Sequence, residues 1–144
     1  MNKKYKSILL ALDLSSESII PLEKALFLKE KLNIETINIL HVVNLPSLYT
    51  SHAFMANIEE IIYTEGKKKL HDLCGKYNIP ENLQHVSIGS PLLNIIDFAK
   101  KIEADLIIVG SHSEYHLLPA SLGSTASSLL SKINCDLLTV SVKH

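Results

Sequence analysis

Five short apolar runs separated by four longer amphipathic stretches predict an α/β fold: a single open, parallel, five-stranded sheet with helices on both faces. Two observations carry this reading. Runs and stretches alternate strictly along the chain, giving the order βαβαβαβαβ. Two of the runs are apolar at nearly every position, the pattern of central strands covered on both sides. A length of 144 residues fits one domain, so residues 1–144 are read as a single unit, without linker, repeat or low-complexity tract.

The strands are read at Ser7–Leu12, Thr36–Val43, Gln84–Ile88, Asp105–Val109 and Asp136–Val142. The first and fourth are the continuous apolar runs. The third and fifth alternate, which places them nearer the edges. The first helix is read over Ser16–Leu32, with Ile19, Leu22, Leu26 and Leu28 inward, Ser15 or Ser16 as N-cap and Glu17 in the first turn. Pro21 is tolerated only in a first turn, which argues for a start later than Ser16. The second helix, Ala53–Tyr77, turns Ile58, Ile61, Ile62, Leu70 and Leu73 inward. Gly66 weakens it by about 1 kcal/mol relative to alanine. The third, Ser90–Ile102, opens on a serine cap followed by Pro91 and buries Leu92 or Leu93, Ile95, Ile96 and Ala99. The fourth is read over Gly123–Ile133.

Composition narrows the function classes. Hydrophobic residues make up 47% of the chain and charged residues 20%, which excludes a disordered protein. A net charge of −1 gives no electrostatic reason to expect nucleic acid or an anionic membrane as partner. Cys74 and Cys135 form no disulfide framework and read as reduced thiols. The apolar run after the basic start stops at Asp13, too short for a signal-peptide core, and every apolar stretch is far below the roughly 20 residues of a membrane helix. The chain is therefore expected to be soluble and cytoplasmic.

In an open parallel sheet a ligand binds outside the carboxyl ends of the strands, where the winding reverses. Asp13 ends the first strand and Gly110 follows the fourth. The segment from Gly110 runs to Gly123-Ser124-Thr125 at a helix start, where free N–H groups, a positive helix end and hydroxyls suit an anion. A strand-ending glycine and a serine cap account for the same residues without any ligand. The patterns GxxxxGK[ST] and GxGxxG are absent.

Taken in order, several of these pieces resemble the universal stress protein family: Tyr5 to Ser15, Leu40-His41-Val42-Val43, Gly89-Ser90-Pro91, Asp105 to Gly110, and Asn134 to Val140. The resemblance covers nearly the whole chain. It implies a Rossmann-like fold of the adenine nucleotide alpha hydrolase type. ATP-binding members carry glycine, two residues, glycine, nine residues, then glycine and Ser or Thr. Gly110, Gly123 and Ser124 keep that spacing here, while Ser113 stands in the middle glycine's place. By resemblance, Asp13 and the Val42 backbone hold the adenosine end of ATP. Gly110, Gly123, Ser124 and Thr125, with Ser113 in the loop, hold ribose and phosphates, with magnesium as the expected counter-ion. An A-type branch lacks the glycine loop and works without nucleotide. The Asp13 to Ser18 and Ser47 to Thr50 stretches are similar to that branch. Three readings stay open: a nucleotide-binding stress protein, an A-type protein acting through protein contacts, and a slow ATPase.

No residues form an evident catalytic set. Asp13 and Ser15 lack a third partner and Ser124 lacks a base. His112 and His116 are four apart, but no third ligand is placed by spacing, and solvated loop histidines explain them. His41 reads as a hydrogen-bonded core residue. Lys67-Lys68-Lys69 reads as a solvated helix face. The resemblance also implies a homodimer through the last strand, residues 136–142, whose free edge suits pairing about a twofold axis.

Overall fold

The computed structural model of the chain describes residues 4–44, 52–111 and 131–142, the side chains of residues 52–56 excepted. The elements are β1 (Ser7–Ala11), α1 (Ile19–Lys31), β2 (Thr36–Val43), α2 (His52–Gly75), a 3-10 turn (Glu81–Leu83), β3 (Gln84–Ile88), α3 (Pro91–Lys101), β4 (Leu106–Gly110) and β5 (Asp136–Val140). The sheet is five-stranded and parallel throughout, in the order β3-β2-β1-β4-β5. The two alternating runs are the edges, as their pattern predicts. β1, in the centre, is buried at all five positions.

Strand alternation sends successive residues to opposite faces, and two cores result. Ile8, Leu10 and Leu12 pack with Leu22 and Ala25 of α1 and with Leu70 and Cys74 of α2. Leu9 and Ala11 pack with Ile95, Ile96 and Ala99 of α3 and with Ile133. So α1 and α2 cover one face and α3 the other, as right-handed crossovers dictate for this strand order. Burial raises the Cys74 thiol to about 11, so it stays a protonated core group.

Pro21 fixes where α1 begins. Its ring fits only the first turn, and the helix starts at Ile19 with Ser18 as N-cap, not Ser15 or Ser16. Glu17 precedes the helix. Two side chains expected inside point outward: Ile19 is 41% exposed and Ile61 63%. Of the alternatives Leu92 and Leu93, Leu93 is the outward one, 53% exposed. Leu92 packs inward in place of Leu93. Strand β5 stops at Val140, two residues short of the expected Val142, which is buried beyond the strand. The predicted start of the fourth helix at Gly123 lies outside the described residues; Ser131 and Lys132 are helical.

Helices α1, α2 and α3 end alike. Ile34 N–H reaches Lys29 C=O, Ile79 N–H reaches Cys74 C=O, and Ala104 N–H reaches Ala99 C=O, at 2.9, 3.1 and 2.9 Å. Each motif needs a left-handed residue just before the returning N–H. Asn33, Asn78 and Glu103 fill that place with φ of 52°, 57° and 52°. Asparagine tolerates this conformation; glutamate does not share its short side chain. Glu103 is exposed, so Glu103→Gly is expected to stabilise the protein by about 0.5–1 kcal/mol. Urea denaturation checks it: an unchanged or lower midpoint contradicts the strain assigned to Glu103.

At the amino end of the sheet the Asp105 carboxylate accepts from the backbone N–H groups of Lys6 and Ser7, at 2.8 and 3.0 Å. It lies just before β4 and pins β4 to the start of β1. Tyr5 Oη donates to the Asp136 carboxylate beside it. These two acids fasten the amino end of the sheet.

Candidate functional site

The strand order reverses between β1 and β4. From β1 the chain winds towards β2 and β3; from β4 it winds towards β5. A crevice therefore opens outside the carboxyl ends of β1 and β4. The structure places Asp13 and Gly110 there together, lining one recess with Ser15, Ser18, Pro21 and Val142. About 250 Å³ of space lies between these residues when open solvent is included, of which a water's centre can occupy about 10 Å³. That is room for about one water, far below the ~300–1,000 Å³ usual for small-molecule sites. Val42 sits at the same end of the sheet, two residues past Leu40, whose carbonyl accepts the Leu12 N–H at 2.9 Å. It does not line the recess, and its side chain packs on the α3 side. Ser113, Gly123, Ser124 and Thr125, like His112 and His116, lie outside the described residues.

Asp13 is held rather than merely present. Its Oδ1 accepts from the Ser15 N–H and from Ser18 Oγ, each at 3.0 Å. An aspartate bonded to a backbone N–H two residues on is a self-made turn. Leu14, inside that turn, has φ of 60°. A leucine held left-handed costs on the order of 1–3 kcal/mol, and such strain clusters at functional sites. Ser18 supplies its hydroxyl to Asp13 instead of capping the helix.

Gly110 is not demanded by crowding. A methyl group there would meet Pro21 Cγ and Val142 Cγ1 at 3.7 Å, an ordinary contact. Next to it, Ser111 ties β4 to the segment after β5: its N–H donates to Val140 C=O at 2.8 Å, and its Oγ accepts from Val142 N–H at 3.3 Å. The bend after β5 thus brings Val142 over the recess.

His41 stands on the same end of the sheet. Its Nδ1 lies 2.8 Å from the Leu12 carbonyl oxygen, which can only accept, so Nδ1 carries the proton. Burial lowers the ring's pKa, opposed by the Leu12 bond and the Asp13 charge; Lys69 lowers it further. At the edge of the sheet His85 Nε2 bonds Asn38 Oδ1 at 2.8 Å, and burial, aided by Lys101, lowers its pKa too. Both rings are neutral in the folded protein near pH 7. With folded pKa values below the unfolded value of about 6.5, both contribute stability fully above that value. That stability is lost as pH falls from about 6.5 through the lowered folded values. The urea midpoint is expected to drop between pH 7.5 and pH 5, and to drop less in His41→Gln. An equal drop in the variant would remove His41 from the account.

The electrostatics divide the site. Asp13 and Glu17 both line the recess, and no lysine or arginine does among the described residues. Two carboxylates suit the hydroxyl and amino groups of a nucleoside and repel a bare polyphosphate. Ser18, Pro21, Glu17 and Val142 were not legible as site residues. The one available signal was Pro21, which by delaying α1 leaves Ser15 to Ser18 as a turn around Asp13.

An open parallel sheet with an acid-lined crevice at its switch point defines a Rossmann-like α/β protein. The universal stress protein family model matches residues 4–141. Universal stress protein A homolog 1 of Coxiella burnetii is 35% identical, over 97% of this chain and 99% of that protein. The solved structure described as hypothetical protein MJ0577 superposes with a TM-score of 0.78 at 26% identity, over 99% of both chains. A universal stress protein solved in complex with cAMP superposes at 0.60, with 18% identity, over 98% of this chain and all of that one. The chain belongs to the universal stress protein family, whose role is in the stress response.

Proposed function

We infer that this stress protein is a cytoplasmic homodimer that binds an adenine nucleotide at the carboxyl end of its sheet, without fast turnover. One observation carries the reading: Asp13, oriented by Ser15 and Ser18, faces Gly110 across the switch between β1 and β4. The recess has the chemistry of a nucleoside pocket. Asp13 accepts from the ribose or the adenine amino group, and the Val42 backbone borders the base. Gly110, Ser113, Gly123, Ser124 and Thr125 take the phosphate end, where magnesium offsets the charge of a triphosphate. The family relative solved with cAMP supports adenine-nucleotide chemistry in this fold. The homodimer rests on β5, an edge strand among the described residues. Sedimentation at micromolar concentration is expected to give twice the 16.0 kDa chain mass, and a monomer there rejects the pairing. No described helix is long and apolar enough to cross a membrane.

A second reading, the A-type protein without nucleotide, is favoured by Ser113, which stands where ATP-binding relatives carry glycine. Calorimetric titration of nucleotide-stripped protein with Mg-ATP separates the two. Saturable heat with about one site per chain supports binding. Absence of heat at millimolar ATP, on protein shown to be folded, supports the A-type reading. Ser113→Gly is the directional companion: tighter binding identifies the loop as a phosphate loop impaired by serine. Phosphate release that disappears in Asp13→Ala would instead identify a slow ATPase.

A further inference from the structure

At the opposite side of the sheet from β5, the β3 edge lies in a groove of about 940 Å³ of open space. Its two walls come from different helices. Tyr63, Lys67 and His71 stand on α2, and Phe98 and Lys101 on α3. β3 pairs only with β2 among the described residues. The Gly89 N–H points inward, donating to Val43 C=O at 2.9 Å. Backbone groups of a strand alternate in direction, so His85 and Ser87 face β2, while Val86 and Ile88 turn their N–H and C=O groups away from it, those of Val86 at the groove.

Such an edge is an open template for another strand. Both walls bring a cation to it. Lys67 Nζ lies 5.6 Å from the Tyr63 ring centroid, and Lys101 Nζ lies 5.9 Å from that of Phe98. These lysines lie along aromatic walls. Among the described residues that line the groove, Glu81 is the one acid, beside the two lysines and His71. The groove also holds a polar atom without a partner among the described residues, the buried Ser87 Oγ.

We propose that the β3 edge, between α2 and α3, is a docking site for an extended acidic segment of a partner protein, added to the sheet as a sixth strand. Main-chain bonds to Val86 and Ile88 supply affinity, and the lysines select charge. Neighbouring residues of a strand point to opposite sides. Two adjacent acids therefore reach Lys67 on one wall and Lys101 on the other. The same lysines repel basic strands and further copies of this edge, whose own lysines would face them.

The probe is a fluorescein-labelled nonapeptide of valine and threonine with two central glutamates, titrated with the full chain and read by anisotropy. Saturable binding is expected, weakened at least about tenfold when lysines replace the glutamates or in the doubly substituted Lys67→Glu, Lys101→Glu protein. Both lysines are exposed, and circular dichroism verifies that the variant is folded. Bound peptide is also expected to slow hydrogen exchange at the Val86 and Ile88 amides. No binding at millimolar protein overturns the proposal. Equal binding of the lysine peptide, or of a backbone N-methylated peptide that cannot pair, overturns it too, as does protection confined to other strands.

Discussion

Asp13→Ala is expected to weaken Mg-ATP binding by about ten- to a hundredfold, the worth of one charge-assisted hydrogen bond of ~1.5–3 kcal/mol. The carboxylate is the polar group that the turn from Leu14 to Ser18 is built to hold. The same change leaves the Ser15 N–H and Ser18 Oγ without this acceptor, so about 1 kcal/mol of stability should be lost with the affinity. Asp13→Asn separates the two effects. An amide oxygen still accepts from Ser15 and Ser18, so the turn persists, while the negative charge is gone. Calorimetry on the asparagine variant is therefore expected to show weak binding on a fold of near-normal stability. Undiminished affinity in both variants would place the nucleotide elsewhere.

Gly66→Leu is expected to destabilise the protein by about 2–3 kcal/mol, lowering Tm by roughly 6–10 °C. Gly66 is buried where α2 crosses β2 and β3. A Cβ there already stands 3.3 Å from Val43 Cγ2, 3.4 Å from His41 Cδ2 and 3.5 Å from Val86 Cγ1. A single methyl needs its neighbours to give by a few tenths of an ångström, a cost set against a helix-propensity gain of about 1 kcal/mol. Gly66→Ala should thus be close to neutral. The larger side chain has nowhere to go except into the two strands. Calorimetric melting of the pair is diagnostic: equal Tm values would show that α2 does not pack on the sheet through this glycine.

The contrast at Gly66 shows what the sequence could and could not reveal. Read alone, it is a weak point in a helix. In the fold it is the contact that lets α2 approach the sheet, and its partners His41, Val43 and Val86 lie far from it in sequence on both sides. The strands were legible because continuous apolar runs and alternating runs report burial on two faces or one, and that is also why the edges were identified. Helix faces were less legible. In α1 and α2 extra isoleucines at 19 and 61 mimic the inward stripe, yet the structure exposes them. The helix ends were read to within two residues, but not how they terminate, because Asn33, Asn78 and Glu103 carry a backbone conformation usually announced by glycine.

Of the site, Asp13 and Gly110 were found because strand ends at a winding reversal are fixed by topology, which periodicity reveals. The turn that orients Asp13 was missed, since it depends on Leu14 adopting a positive φ that no leucine advertises. Val142 was missed because its place over the recess follows from the bend after β5 and the Ser111 bond, both tertiary. The resemblance supplied the roles of Ser113, Gly123, Ser124 and Thr125, which lie outside the described residues.

The central claim is that an adenine nucleotide occupies the crevice between β1 and β4. Its most direct test is a titration of isotope-labelled protein with Mg-ATP, followed amide by amide in nitrogen–proton NMR spectra. The account predicts saturable shifts at Asp13, Ser15, Val42 and Gly110, with Gln84 to Ile88 on the far edge unmoved. No shifts at millimolar nucleotide, or shifts confined to β3 and its groove, would contradict it.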